Sequence, residues 1–254
     1  MLGNAMLGII AGLVAASAIP ALADDGDGRD SRCALTPSVV SSIQGKLTVV
    51  VQNGNGGLFT PNRMWSAIVD REGRLCSIIS SSLDAWPGSR AIAIAKASTA
   101  NDFSNNQLAL STANLYGVTI PGGSLFGLNN SNPFNPVFDD PRTAAIGRVP
   151  GGIITFGGGV ALYDQQKQVI GGLGISGDTS CADHSVAYRM RHLAGFDNIP
   201  GGVAPGNTDQ HHLWRPSEPE HVRTTALHRP RRHSLIGDPR SDPHRPVHRP
   251  AGLG

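Results

Sequence analysis

Two hydrophobic periods alternate along this chain, and their order predicts its elements. In "LTPSVVSSIQGKL", Val39, Val40, Ile43 and Leu47 fall on one helical stripe. Thr36 is placed to cap and Pro37 suits the first turn, which predicts a helix over about 37–48. The period then drops to two. Trp65, Ala67 and Val69 share a face, "DREG" (Asp70–Gly73) supplies a turn, and Leu75 begins a return strand. A hairpin over about 64–70 and 74–81 follows. In "DAWPGSRAIAIAKASTANDFS" the period returns to that of a helix. Ile92, Ala95 and Ala97–Ala100 make a small-residue face, and the predicted helix runs over 88–102. A shorter helix is expected in "QLALSTANLYG", ending at Gly117.

Leu125–Arg148 carries turn chemistry and little periodicity, so it reads as a long loop, either functional or packed as its own small unit. Strands are expected near 153–156 with 159–164, and over 168–175, with the turn at Asp164–Gln165. Glycines in and beside these strands argue for close approach by a ligand, a helix or another subunit. Val186, Met190, Leu193 and Ala194 then define an amphipathic helix over Cys181–Ala194. Asp178, Thr179 and Ser180 stand at its N-cap, and Gly195 stands at its end. Hairpins outnumber strand–helix–strand crossovers. The expected class is α+β, with a largely antiparallel sheet and helices packed on it.

Composition changes this picture mainly at the two ends. The 254 residues include 32 Gly and 18 Pro, with 5% aromatic and 16% charged residues, a small-residue-rich globular profile. The net charge of +2 hides an asymmetry, because His211–Gly254 holds eight Arg and seven of the nine His against four acids. The body before it is mildly acidic, which excludes a nucleic-acid footprint there. At the other end, "AMLGIIAGLVAASAI" and Ala21-Leu22-Ala23 read as a signal peptide over 1–23, cleaved before Asp24, although no basic residue precedes the apolar run. The run is too short for a membrane span of about 20 residues. No Cys follows the cleavage site, which argues against a lipid anchor. The expected location is therefore periplasmic or secreted, with no membrane insertion after cleavage. In that oxidising setting Cys33, Cys76 and Cys181 are disulfide candidates. Three thiols leave one over, and their pairing stays open.

Four blocks, "AIVDREGRLCSI", "WPGSRAIAIAKASTANDFS", "VPGGIITFGGGVALY" and "VIGGLGISGDTSCADHSVA", occur in an order that resembles the GlcG/HbpS family, the haem-binding or "haem-degrading" domain family, in its exported branch. The likeness covers about 33–205, after a polar leader, 24–32, expected to be flexible. The resemblance implies a profilin-like antiparallel β-sheet flanked by α-helices. It also implies haem or related tetrapyrrole binding in some members, and homo-oligomers. The Arg/His/Pro-rich segment 206–254 departs from the family pattern and is expected to be a disordered, out-of-frame tail. A His-rich metal or polyanion arm is the other reading of it.

The densest chemistry lies in "GISGDTSCADHSVAYRMRHLAG", where Asp178, Cys181, Asp183 and His184 fall within seven residues. A helix start accounts for the acids, since free N–H groups and the helix dipole attract negative charge there. A ligand reading makes Gly172, Gly174, Gly177, Asp178 and His184 border a flat tetrapyrrole slot. His184 is then the iron ligand, and the helix N-terminus receives a propionate. Other donors in the body are His192, Tyr116, Tyr163, Tyr188, Met64 and Met190. The chain has no GxSxG elbow and no phosphate loop ending in Lys-Ser/Thr. "GGLGISG" sits in a hairpin context rather than a Rossmann unit. The expected function is haem binding for sensing, storage or scavenging. A structural or regulatory exported oligomer and a weak haem-degrading enzyme are the alternatives.

Overall fold

A computed structural model describes residues 32–140, 142 and 145–202. The expected signal peptide, the leader up to Ser31 and the tail 206–254 lie outside the described residues. The elements run α1 (Pro37–Gln44), α2 (Leu47–Val50), β1 (Trp65–Asp70), β2 (Leu75–Ser80), α3 (Gly88–Asp102), α4 (Thr112–Thr119), β3 (Gly159–Tyr163), β4 (Val169–Ser176) and α5 (Ser180–Ala194). The four strands form one sheet in the order β2-β1-β4-β3, and each neighbouring pair is antiparallel. The fold class is therefore α+β, as the periodicity implies. No helix among the described residues is long and apolar enough to cross a membrane.

Both faces of the sheet are covered, and strand alternation decides what each face meets. Ile68, Val160, Leu162, Leu173 and Ile175 point to one side and pack with Ile43, Leu47 and Val50 of α1 and α2 and with Val186 and Met190 of α5. Ala67, Val69 and Leu75 point to the other side and meet Ala93, Ile94 and Ala97 of α3. α3 lies unusually close to β4. A Cβ at Gly172 would stand 2.1 Å from the Ala97 carbonyl oxygen, and one at Gly174 would stand 2.0 Å from that of Ala93. Small residues on both elements are thus one feature: the Ala-rich helix seats on the Gly-rich strand.

The structure differs from the sequence reading in five places. Helix 37–48 is broken at Gly45–Lys46 into α1 and α2, although Thr36 caps α1 and Pro37 opens it. The helix expected in 107–117 starts at Thr112, where Ser111 and Asn114 form a capping box, and it runs past Gly117 to Thr119. Residues 153–156 are not a strand. Their polar groups bond to side chains instead: the Ile154 N–H donates to Thr99 Oγ1 at 3.0 Å, and Thr155 Oγ1 pairs with Thr119 Oγ1 at 2.9 Å. Ile92 is only half-buried, while Ala93 and Ile94 hold the core. Leu193 is exposed, leaving Val186 and Met190 as the apolar stripe of α5.

The described part of the long loop packs onto the domain rather than as a unit of its own. It contains two 3-10 turns, Leu128–Asn130 and Pro136–Phe138, and it buries Phe138 completely in the core on the α3 side of the sheet. One disulfide, Cys33–Cys76, ties the segment before α1 to β2, and Cys181 is left as a free thiol.

The close α3–β4 seat gives a direct test. Gly174→Ala forces a methyl into the Ala93 carbonyl, and the expected loss is about 3 kcal/mol, the upper range for overpacking a core. Urea unfolding measures it. A loss under about 0.5 kcal/mol would show that the two elements can separate freely.

Candidate functional site

The acids at the start of α5 have separate structural partners. The cap is Thr179, whose hydroxyl accepts from the Ala182 N–H. Asp178 turns away from the helix. Its carboxylate accepts from the Leu58 N–H at 2.6 Å, the Phe59 N–H at 3.1 Å, Asn62 Nδ2 at 3.1 Å and the Thr179 N–H at 2.6 Å. It thereby holds the loop between α2 and β1. Gly57 in that loop has φ +96°, and a Cβ there would lie 2.2 Å from Asp178 Oδ1, so only glycine fits.

Asp183 pairs with Lys96 of α3. The Lys96 Nζ lies 2.7 Å from Asp183 Oδ2, and the two side chains are 0% and 2% exposed. Lys96 also donates to the Ile175 carbonyl at 3.0 Å and stands 4.7 Å from the Phe156 ring centroid. Asp183 Oδ1 accepts from the Asp178 N–H at 2.9 Å. Burial pushes the Asp183 carboxyl up to about 6, against the opposing pull of Lys96. Burial likewise lowers the Lys96 ammonium, with Asp183 opposing. Lys96 was not singled out by the sequence reading. The available signal was a single cation within "AIAIAKASTA", a run otherwise made of core residues.

His184 is 1% exposed, and its Nδ1 accepts from the Gly158 N–H at 3.0 Å. An imidazole that accepts at Nδ1 carries its proton on Nε2. In this arrangement the ring presents no lone pair to an iron. The other residues placed at the expected slot are also enclosed. Gly172 and Gly174 are covered by α3, and a Cβ at Gly177 would lie 2.0 Å from the Arg63 carbonyl oxygen. In "FGGG", a Cβ at Gly157 would meet the Ser180 carbonyl at 2.5 Å, and one at Gly158 would meet Lys96 Nζ at 2.7 Å. Close packing by helices and backbone accounts for these glycines. The structure brings Asp178, Asp183 and His184 together at one helix start, but buries the last two.

Among the described residues, two open surfaces bear on ligand binding. The first is a cleft of about 490 Å³ lined by the loop that Asp178 holds, together with Gln52, Arg63, Ser81, Ser82 and Asp84. Arg63 lies over the Phe59 ring at 4.8 Å and pairs with Asp84 at 2.6 Å, and Phe59 meets Trp86 edge-to-face at 5.5 Å. Its lining contains no His, Cys, Tyr or Met, and so no iron donor. The second surface is α4 with the loop after it. Val118, Ile120, Leu125 and Phe126 are all exposed there, and the Leu125 N–H donates back to the Val118 carbonyl at 2.9 Å. Tyr116 stands on the same segment at 47% exposure.

Accessibility divides the donors. Tyr163, Tyr188, Met64, Met190 and His184 are buried, and Cys33 and Cys76 are bonded to each other. His192 is part-exposed, and its Nδ1 pairs with Asp197 at 2.5 Å. Tyr116 is the accessible phenol of the set, on a segment that also exposes Ile120, Leu125 and Phe126.

The geometry defines a small α+β domain whose helical layers are joined by a buried ion pair. The comparisons place it within a family. The model of the family described as haem degrading protein HbpS-like matches residues 61–191, and the chain belongs to that family. Among solved structures it is similar to the Klebsiella pneumoniae protein ORFY, at 23% identity and TM-score 0.47 over 63% of this chain and 90% of that one. It is also similar to PduOC solved as a haem complex, at 24% identity and TM-score 0.46 over 63% and 94%. HbpS matches at 18% identity and TM-score 0.42 over 63% and 89%. No curated protein sequence matches it.

The buried pair sets a pH dependence. The Asp183 carboxyl has an ordinary value of 3.8 and is raised to about 6 in the fold, so the folded chain holds this proton more tightly than the unfolded one. Its contribution to stability is full below about pH 4 and is lost as pH rises through about 6. The swing is at most about 3 kcal/mol, from about 1.4 kcal/mol per unit. Asp183→Asn should lack this gain on acidification. Urea unfolding of both proteins from pH 4 to 7 measures it, and parallel curves would rule the pair out as the source.

Proposed function

We propose that the protein binds haem or a similar planar tetrapyrrole, and that it senses, stores or scavenges it rather than turning it over. Family membership over 61–191 supports the ligand class. The single observation that carries the placement is Tyr116, a half-exposed phenol on α4, whose following residues Ile120, Leu125 and Phe126 are also exposed. A phenolate is an established axial donor to haem iron. The exposed Ile120, Leu125 and Phe126 that follow Tyr116 are the apolar side chains nearest in sequence to receive the macrocycle. His184 keeps the role its hydrogen bond describes, holding the start of β3 through Gly158. The Cys33–Cys76 disulfide supports an oxidising compartment, in line with export to the periplasm or the medium. The same exposed apolar residues favour a second reading, in which α4 packs against another copy in a homo-oligomer without haem.

Haem titration of the full chain, followed at the Soret band, tests this. The expected result is a saturable shift at one haem per chain. Tyr116→Phe should weaken binding at least about tenfold, or about 1.4 kcal/mol, while His184→Ala should leave affinity unchanged if the variant folds. No shift in a folded wild-type chain would remove the haem reading and favour the oligomer. Wild-type affinity in Tyr116→Phe would remove only the placement.

A further inference from the structure

The turn end of the β1–β2 hairpin carries a second set of ligand-type residues. The Sγ atoms of Cys33 and Cys76 and a carboxylate oxygen of Asp70 all lie within 4.8 Å of one another. Each comes from a fixed position: Asp70 ends β1, Cys76 is the second residue of β2, and Cys33 precedes α1. Asp70 is fully buried. Its Oδ1 accepts from the Glu72 N–H at 3.0 Å and the Arg74 N–H at 2.9 Å, and its Oδ2 accepts from the Ala34 N–H at 2.8 Å. A carboxylate oxygen has two acceptor sites, so Oδ2 retains one. The carboxylate is therefore oriented before any ligand arrives, and the Ala34 bond holds the Cys33 segment against it.

We propose that this is a redox-gated site for one thiophilic divalent cation of the zinc class. Cys33 Sγ, Cys76 Sγ and Asp70 Oδ2 hold the ion in the reduced chain, and the disulfide replaces it in the oxidised chain. Two equivalents of a thiol reduce the disulfide, giving two cysteine thiols and one disulfide of the reductant. The cation then displaces both thiol protons, which leave to solvent, and a water completes four ligands. Tetrahedral zinc with bonds of about 2.3 Å to sulfur needs the two sulfurs about 3.8 Å apart. The sulfurs must therefore part by about 2 Å once their bond is cleaved. Reduction alone leaves two neutral thiols beside the Asp70 carboxylate, and the cation takes the place of their two protons.

The test uses the full chain carrying Cys181→Ser, reduced with a phosphine and titrated with Co2+ alone. Thiolate-to-cobalt charge-transfer absorption reports the site, and the His-rich tail contributes no such band. The expected result is a band saturating at one ion per chain, displaced by Zn2+ and collapsing when diamide restores the disulfide. It should be absent from the oxidised chain, and Cys33→Ser should weaken it at least about a hundredfold. Asp70→Asn should weaken binding about tenfold. Where near-ultraviolet circular dichroism shows that this variant does not fold, the Cys33→Ser comparison carries the test. A reduced, folded chain without the band, or an equal band in Cys33→Ser, overturns the site. A full-strength band in folded Asp70→Asn overturns the three-ligand assignment.

Discussion

The contact between Lys96 and Asp183 organises this fold because its partners sit on opposite faces of the sheet. α3 covers one face and α5 the other, and the lysine reaches past the end of β4 to join them. Burying two charges has a large desolvation cost, so such a pair is weak evidence for net stability. Its value is positional. Removing either partner would strand a charge that burial already disfavours, which resists any arrangement that parts the layers. The pair also determines what lies beside it. Lys96 requires Gly158 to lack a side chain, and Asp183 Oδ1 receives the Asp178 N–H. Asp178 then has its carboxylate turned toward the loop between α2 and β1, where it accepts three bonds. A wall of the open cleft is thus positioned, two steps removed, by an interaction in the core.

The glycine and alanine patches follow from the same geometry. A lysine on α3 can reach Asp183 only if the helix axis lies close to the sheet. Closeness in turn demands Ala93 and Ala97 on the helix and Gly172 and Gly174 on the strand. Read as sequence, a glycine-rich strand beside a turn suggests a ligand slot. The structure fills that slot with helix backbone. A bare backbone face is equally suited to a flat ligand and to a flat-packed helix, and only the contents of the facing element separate the two.

How far the sequence was legible depends on whether the deciding contact was local. The β1–β2 hairpin, α3 and α5 were readable to within a residue or two, because hydrophobic period, a turn glycine at Gly73 and the Thr179 cap region are near-neighbour signals. The segment 153–156 has an apolar run indistinguishable from a strand. Its fate was decided by hydroxyls of Thr99 and Thr119, 34 or more positions away, which bond its backbone and side chain. The helix start at Thr112 was missed because its capping box uses Asn114 in place of the usual acid or glutamine. At the candidate site the residue types were visible but their partners were not. Asp178, Asp183 and His184 cluster in sequence, yet each is turned to a different element by a residue at least 26 positions away.

The same distinction governs the ligand chemistry. A list of donors ranks His184 first, because imidazole is the commonest neutral ligand and the residue sits beside glycines. A backbone N–H on Nδ1 reverses that ranking, since a ligand must offer a lone pair and this one is already taken. The remaining donors fall into distinct surroundings. Tyr116 is exposed beside other exposed apolar residues of its segment, the setting proposed for a large planar group. Cys33, Cys76 and Asp70 have a rigid, narrow, charged setting and suit a bare ion. A haem cannot enter the second, and a small cation gains nothing from the apolar face of the first. The two proposed sites are therefore distinguished by the size and hydration of what each would receive.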